Sequence, residues 1–334
     1  ILCSAMLHFL LPGQVIYALF WFVISNIAFE LTNVFYNAFL PDIASKEKIG
    51  RISGIGWGVG YIGGLLAMVI AMVGFVNPEI PWFGLSRETG ANIRATNLLV
   101  AVWFAVFCIP LFLFVKSKSS AKPAKVKQIT KDGISDIINT FKELKKYKQI
   151  KTLLIARLIY NDGLVTIFAF GGIYAAGTFG FTFQEIMIFG IGINVAAGIG
   201  ALIMGFLDDK IGGKKTIQIS NIALACATFL AVISPNKTLF WIAGIMIGLF
   251  AGPNQSASRS LLGRFVPKEK ENQFFGFFAF SGKLTAFMGP LLLGILTEAF
   301  NSQRAGVSVV IIFFILGGLI LNQVDEQAGI KIAD

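Results

Sequence analysis

Long apolar stretches alternate with short polar ones along most of the chain. Apolar runs cover residues 15–40, 49–76, 94–115, 152–178, 182–207, 215–233, 238–261, 273–299 and 304–322. Each comes close to, or exceeds, the roughly 20 residues that an α-helix needs to cross the hydrocarbon core of a bilayer. The pattern predicts an all-α membrane protein with about nine full transmembrane helices. Residues 1–11 are apolar but too short to span and read as the tail of a helix, followed by a turn at Pro12-Gly13. Residues 77–93, with Pro78, Pro81 and Gly84, read as a loop. Residues 116–150 break the pattern with ten lysines and no long apolar run. Within them Ile134, Ile137, Ile138, Phe141 and Leu144 share one helical face opposite lysines, as an interfacial amphipathic helix would. A calmodulin-type target is the alternative for that segment. The predicted organisation is a partial N-terminal bundle (1–115), a linker (116–150), a C-terminal six-helix bundle (151–324) and a tail (325–334).

One stretch occurs twice. Residues from Phe20 read FWFVISNIAFELTNVFYNAFLPDIASKEKIGRISGIGWGVG, and residues from Phe240 read FWIAGIMIGLFAGPNQSASRSLLGRFVPKEKENQFFGFFAFSG. Each copy is an apolar helix, a Pro-containing basic loop and a second apolar helix. Such repetition marks two related halves of a membrane bundle. Repeat symmetry places some 70 further residues, carrying two helices and part of a third, ahead of the first half.

Composition agrees with a membrane setting. Apolar residues make up 55% of the chain and charged residues 14%, and mean hydropathy is +0.75. A soluble surface needs more charge than that. The net charge of +10 would fit a nucleic-acid binder, but its distribution explains it differently. About 20 of the 28 Lys and Arg fall near 41–51, 116–151, 208–215 and 264–270, whereas the loops of the other side carry Arg87, Arg94, Lys237 and Arg304. This is the positive-inside asymmetry, so the partner is the lipid bilayer and not nucleic acid. Cys3, Cys108 and Cys226 lie in apolar runs without metal-ligand spacing, and His8 stands alone. No G-x-x-x-x-G-K-[ST] pattern occurs, so there is no P-loop, and ATP use, cofactors and a bound metal are not expected.

Residues 205–215 read GFLDDKIGGKK. Gly205, Asp209, Lys210, Gly212 and Lys214 resemble the signature loop of the major facilitator superfamily, G-x-x-x-D-[RK]-x-G-[RK]-[RK], with Gly213 where a basic residue is usual. In that reading they form a gating loop. Glycine admits a neighbouring helix, and the Asp latches a helix end or a basic side chain. At finer grain the chain resembles the autophagy-linked vacuolar effluxer branch of that superfamily and its bacterial members. The resemblance rests on YNAFLPDIA (36–44), GRISGIGWGVGYIGGL (50–65), RLIYNDG (157–163), FAFGGIYAAGTFG (168–180), GPNQSASRS (252–260) and SGKLTAFMGP (281–290). It implies a twelve-helix secondary transporter, with the first and fourth helices of each half lining the central cavity. Yeast-type members are associated with amino-acid efflux from the vacuole.

Charged residues inside spans carry the sharpest functional signal, since a midplane charge costs at least about 2.5 kcal/mol. Glu30 sits near the centre of its run, with Asn33 and Asn37 on the same face. Asp162 lies about 16 Å beyond Lys151 at 1.5 Å per residue, beside Arg157, Tyr160 and Asn161. Asn254, Gln255, Ser258 and Arg259 polarise the 238–261 run, and Lys283 falls about ten residues into the next. Two compatible readings follow. One is fixed interhelical pairs such as Asp162 with Arg259 or Lys283. The other is a site for a small zwitterion, its amine on a carboxylate and its acid on Lys283 or Arg157. Glu30 and Asp162 are the candidates for proton coupling. Small residues four apart (Gly54/Gly58, Gly56/Gly60, Gly60/Gly64) predict close helix packing.

The expected function is secondary active transport of a small polar solute, best an amino acid or related metabolite leaving the compartment, by a monomer in a bacterial inner membrane. The alternatives are a multidrug or other metabolite exporter and a non-transporting receptor or scaffold. An intramembrane prenyltransferase using Asp208-Asp209 would need a second Asp-rich cluster that the sequence does not contain.

Overall fold

The structure is a computed structural model that describes residues 1–115, 135, 139–142 and 144–333. Ile134, Ile137 and Ile138 of the expected amphipathic helix lie outside the described residues. Thirteen α-helices appear among the described residues. They are α1 (Leu2–Met6), α2 (Val15–Ala38), α3 (Leu40–Ile43), α4 (Ile49–Ala71), α5 (Ala91–Phe114), α6 (Lys148–Phe179), α7 (Phe183–Ile211), α8 (Gly213–Ile233), α9 (Lys237–Phe265), α10 (Glu271–Ser281), α11 (Met288–Ala299), α12 (Gln303–Leu321) and α13 (Glu326–Ala333).

Among the described residues seven helical segments are long and apolar enough to cross a membrane: Val15–Ile43, Ile49–Val76, Ala91–Phe114, Lys148–Phe179, Phe183–Ile211, Gly213–Ile233 and Gln303–Leu321. Two of the predicted spans are therefore unlike the rest. Helix α9 has 29 residues but too many polar ones, and the reason is its position: every residue from Ser256 to Phe265 is buried. That end of the helix is enclosed by protein, whereas Ile242 nearer its start is 50% exposed. The 273–299 run is not one helix. It breaks between Ser281 and Met288, so Lys283 stands in the intervening turn and not mid-helix. The segment read as a tail carries helix α13.

The chain divides into two compact units. One comprises residues Ile1–Asn33 and Ile62–Val126, the other Val34–Tyr61 and Lys127–Asp334. In the first, the Ser4 and Ser25 hydroxyls bond at 2.8 Å, and the Phe29 and Phe104 rings meet edge-on at 6.5 Å. A π-helical turn at Met72–Val76 ends the run of α4. Asn92 ties it to the start of α5 through the Phe75 carbonyl at 2.8 Å, and Trp82 covers Gly74.

The second unit is built around α9. Its contact with α7 depends on glycine. A Cβ on Gly248 would meet the Ile193 carbonyl at 2.5 Å, and one on Gly252 would collide with the Ala197 carbonyl. Pro253 has no N–H to give the Leu249 carbonyl four residues back. That carbonyl faces Gly200 of α7, where any side chain would strike it. Backbones touching in this way hold helices together by dispersion and weak C–H···O contacts where lipid supplies no hydrophobic drive. Farther along the unit, Tyr174, Phe179, Phe181, Phe189 and Phe240 form an aromatic cluster, with Phe179 stacked on Phe240 at 4.4 Å.

Candidate functional site

The polar residues of α6 face two directions. Tyr160 and Asn161 are consecutive, so their side chains diverge by about 100° around the helix. Tyr160 is fully buried toward α9, its hydroxyl 2.7 Å from that of Ser258. Ser258 in turn donates to the Asn254 carbonyl at 2.5 Å, and the Asn254 amide donates to Asn221 of α8 at 2.8 Å.

Arg157, Asn161 and Asp162 face the break between α10 and α11. A broken helix leaves backbone carbonyls without partners, which is costly away from water. Arg157 donates to the Phe278 carbonyl at 2.6 Å and to the Ser281 hydroxyl at 3.1 Å, with its guanidinium 3.7 Å over the Phe278 ring. Asn161 donates to the Gly282 carbonyl at 2.9 Å. The Thr285 hydroxyl lies 3.1 Å from an Asp162 oxygen and 3.3 Å from the Leu158 carbonyl. Asp162 is 2% exposed. Its carboxylate meets a hydroxyl and enters no ion pair among the described residues. The expected pair with Arg259 does not form.

Arg259 is instead 5% exposed and held elsewhere in the same unit. It donates from Nε to Ser53 at 2.9 Å, from one terminal nitrogen to Asn37 at 3.1 Å and from the other to the Ser53 carbonyl at 3.0 Å, beside the Tyr36 ring. Gln255 reaches the Tyr61 hydroxyl at 3.4 Å. The sequence-predicted residues of this unit thus fall into separate groups: one at the helix break, one between α6, α8 and α9, and one around Arg259. Lys283 lies in the turn of the break. Glu30 and Asn33 are half-buried residues of α2 in the other unit.

The signature loop joins α7 to α8. Asp209 accepts the Gly50 and Arg51 N–H groups at the start of α4, at 2.8 and 3.2 Å, and the Arg51 Nε at 2.9 Å. An anion on two free N–H groups at a helix N-terminus also gains from the helix dipole. Asp208, unassigned by the signature, is 1% exposed and bonds Arg264 at 2.7 Å and the Ser260 hydroxyl. Both carboxylates thus bond protein cations and polar hydrogens. Gly205 lets α4 and α7 touch, since a Cβ there would sit 3.0 Å from the Gly50 carbonyl and the Gly54 Cα.

Sequence reasoning did not find the next partner. Glu326 of α13 accepts the N–H groups of Gly213 and Lys214, each at 3.0 Å, and lies 3.7 Å from Arg264. Gly212 has φ +92°, and a Cβ there would come within 2.7 Å of the Glu326 carboxylate. The motif glycine serves both needs at once. Lys214 reaches the Asn322 carbonyl at 2.9 Å, whereas Lys210 lines the groove beside this network.

Two polar groupings thus stand out in this unit: the Asp209 contact with the start of α4, and the buried side chains at the broken helix. The chain is 26% identical over 330 residues to the MFS-type transporter YxiO of Bacillus subtilis, covering 99% of this chain and 76% of that one. It is 22% identical over 316 residues to autophagy-related protein 22 of Yarrowia lipolytica, covering 85% of this chain and 52% of that one. The chain thus spans about half the length of that fungal relative. Among solved structures it superposes on the Escherichia coli fucose:proton symporter FucP with a TM-score of 0.76 at 12% identity, covering 97% of this chain and 81% of that chain. The match to FucP in its outward conformation has the same TM-score. The fold is that of the major facilitator superfamily, and the protein is a multi-pass integral membrane protein. The family model described as vacuole effluxer Atg22 like matches residues 1–334, and the chain belongs to that family.

Proposed function

We propose that this protein is a secondary active transporter that moves a small polar solute by alternating access, as a monomer, in the inner membrane of a bacterium. The observation that supports the reading is Asp162: a buried carboxylate that enters no ion pair among the described residues, set against a discontinuous apolar segment. Ionisable groups within spans are costly and mark solute or ion paths, and broken helices mark the binding region of many transporters. The solute class that fits best is an amino acid or related zwitterion, its ammonium group meeting Asp162. Its carboxylate would meet Lys283, or Arg157 once that side chain leaves the Phe278 carbonyl. Glu30 and Asp162 are the proton-coupling candidates. The Asp209 contact with the start of α4 acts as the cytoplasmic latch, with Gly205, Lys210, Gly212 and Lys214 around it.

The test is a thermal-shift screen of the intact transporter against amino acids, nucleosides and organic acids, followed by flux measurements in proteoliposomes. A zwitterion that both stabilises the protein and crosses the membrane is the expected result. A folded protein that no solute stabilises, and that supports no flux, would leave the receptor or scaffold reading in its place.

A second reading draws on an apolar cavity of about 540 Å³ in the same unit. Phe168, Phe189, Phe240 and Ile247 line it, with few polar groups. Such a lining suits an apolar solute and favours multidrug export. Amphiphilic cations included in the same screen decide between the two.

A further inference from the structure

We infer that the groove between α6, α10 and residues 141, 144 and 145 is a binding site for an anionic phospholipid. The groove encloses about 330 Å³. Its walls are Leu144, Leu154, Ile155, Leu158, Phe277 and Phe280, and its rim carries Lys145 and Lys151.

Three observations select the ligand. The first is the order of the lining along α6. Lys151 lies near the N-terminus of that helix, and Leu158 lies about 10 Å deeper at 1.5 Å per residue. Charge therefore sits at the headgroup level, and apolar side chains continue below it to the depth of an acyl chain.

The second is the charge itself. Lys145 and Lys151 are exposed, and neither enters an ion pair among the described residues. Both lie in the segment where lysine is densest, and Lys142 and Lys148 are exposed beside them. Unpaired lysines at a membrane surface attract anionic headgroups.

The third is that the walls are fixed in place. Thr140 bonds Gln273 at 3.3 Å, Phe141 meets Phe277 edge-on at 6.0 Å, and Tyr147 meets Phe274 at 5.0 Å. The segment before α6 is pinned to α10, and the groove between them is a preformed cleft.

Its floor includes Ser281, the last residue of α10, and Leu284, within the break that Arg157 holds. A lipid seated here packs against the turn that bears the polar site, so its occupancy stiffens that turn. The inference stands apart from the identity of the solute.

The experiment is native mass spectrometry of the detergent-solubilised protein with equimolar palmitoyl-oleoyl phosphatidylglycerol and phosphatidylcholine. Thermal stability is measured in each lipid alongside. The wild type should retain phosphatidylglycerol in preference, by up to about thirty-fold for two lysines at the surface. The Lys145→Glu/Lys151→Glu variant should lose that preference, and Lys331→Glu, an exposed charge reversal on α13, should keep it. If the double variant does not fold, Lys145→Gln and Lys151→Gln are read singly in the same spectra, and each should reduce the preference. Leu158→Trp, which fills the cleft, should reduce retention of both lipids. A wild type that binds the two lipids alike overturns the proposal, and so does a preference that survives charge removal at both lysines.

Discussion

Arg157 of α6 reaches across to α10, donates to the Phe278 carbonyl at 2.6 Å and lays its guanidinium 3.7 Å over the Phe278 ring. One side chain thus satisfies a carbonyl near the end of the broken helix and stacks on the residue that carries it. Lysine cannot do both, because it lacks the planar fork. Arg157→Lys should therefore destabilise the protein although charge is conserved. The Phe278 carbonyl keeps the Ser281 hydroxyl at 2.8 Å and the Gly282 N–H at 3.3 Å, so the expected loss is that of one hydrogen bond from a charged group, about 1.5–3 kcal/mol. Thermal unfolding in detergent checks this, and an unchanged midpoint would mean that the break does not depend on Arg157.

Asp162 supports a separate prediction about coupling. Asparagine has nearly the same shape and can accept the Thr285 hydroxyl, but it does not titrate. If Asp162 carries the coupled proton, Asp162→Asn should flatten the pH dependence of solute uptake in proteoliposomes while the protein stays folded. Glu30→Gln tests the other candidate in the same assay. PH profiles that stay intact in both variants would remove proton coupling through these residues.

Much of this was legible in the sequence, because a bilayer demands long apolar runs. The runs at 15–40, 49–76 and 182–207 match α2, α4 with its π turn, and most of α7. The break at 282–287 was not legible. Leu284, Ala286 and Phe287 keep the stretch apolar, and the break is satisfied by Arg157 and Asn161, more than a hundred residues away in the chain. Charge spacing drew attention to Arg157 and Asp162 but could not show that one caps a helix while the other meets the Thr285 hydroxyl. Thr285 lies within SGKLTAFMGP, and nothing in its local pattern separates it from a packing threonine. Glu326 was missed for a similar reason. A glutamate after the last span reads as tail until the loop 113 residues earlier folds against it.

The latch can be tested by a graded pair of substitutions. Asp209→Ala removes the acceptor of the Gly50 and Arg51 N–H groups, whereas Asp209→Asn keeps a neutral one. Losing such a cap costs about 0.5–2 kcal/mol. Alanine should therefore open the α4–α7 contact more than asparagine does. A cysteine at Ser53, fully buried in the structure, reports opening through its rate of thiol alkylation. Measured against the Ser53→Cys background, the order should be alanine, then asparagine, then the parent. Equal rates in all three would mean that Asp209 is not a latch.

Glycine spacing predicted packing for three pairs along α4, but the structure divides them. A Cβ on Gly54 would collide with the Ala201 carbonyl, and one on Gly58 would lie 2.5 Å from Leu202. Gly60 and Gly64 meet nothing within 4 Å. Alanine is favoured over glycine in a helix interior by about 1 kcal/mol, so the sign of the effect should change along one helix. Gly60→Ala should leave the protein as stable as before or slightly more so. Gly54→Ala should destabilise it by about 1–3 kcal/mol, because a backbone carbonyl has no rotamer with which to move aside. Unfolding midpoints of the two variants, made in the same background, check this. Equal effects would place the α4–α7 contact elsewhere than at Gly54.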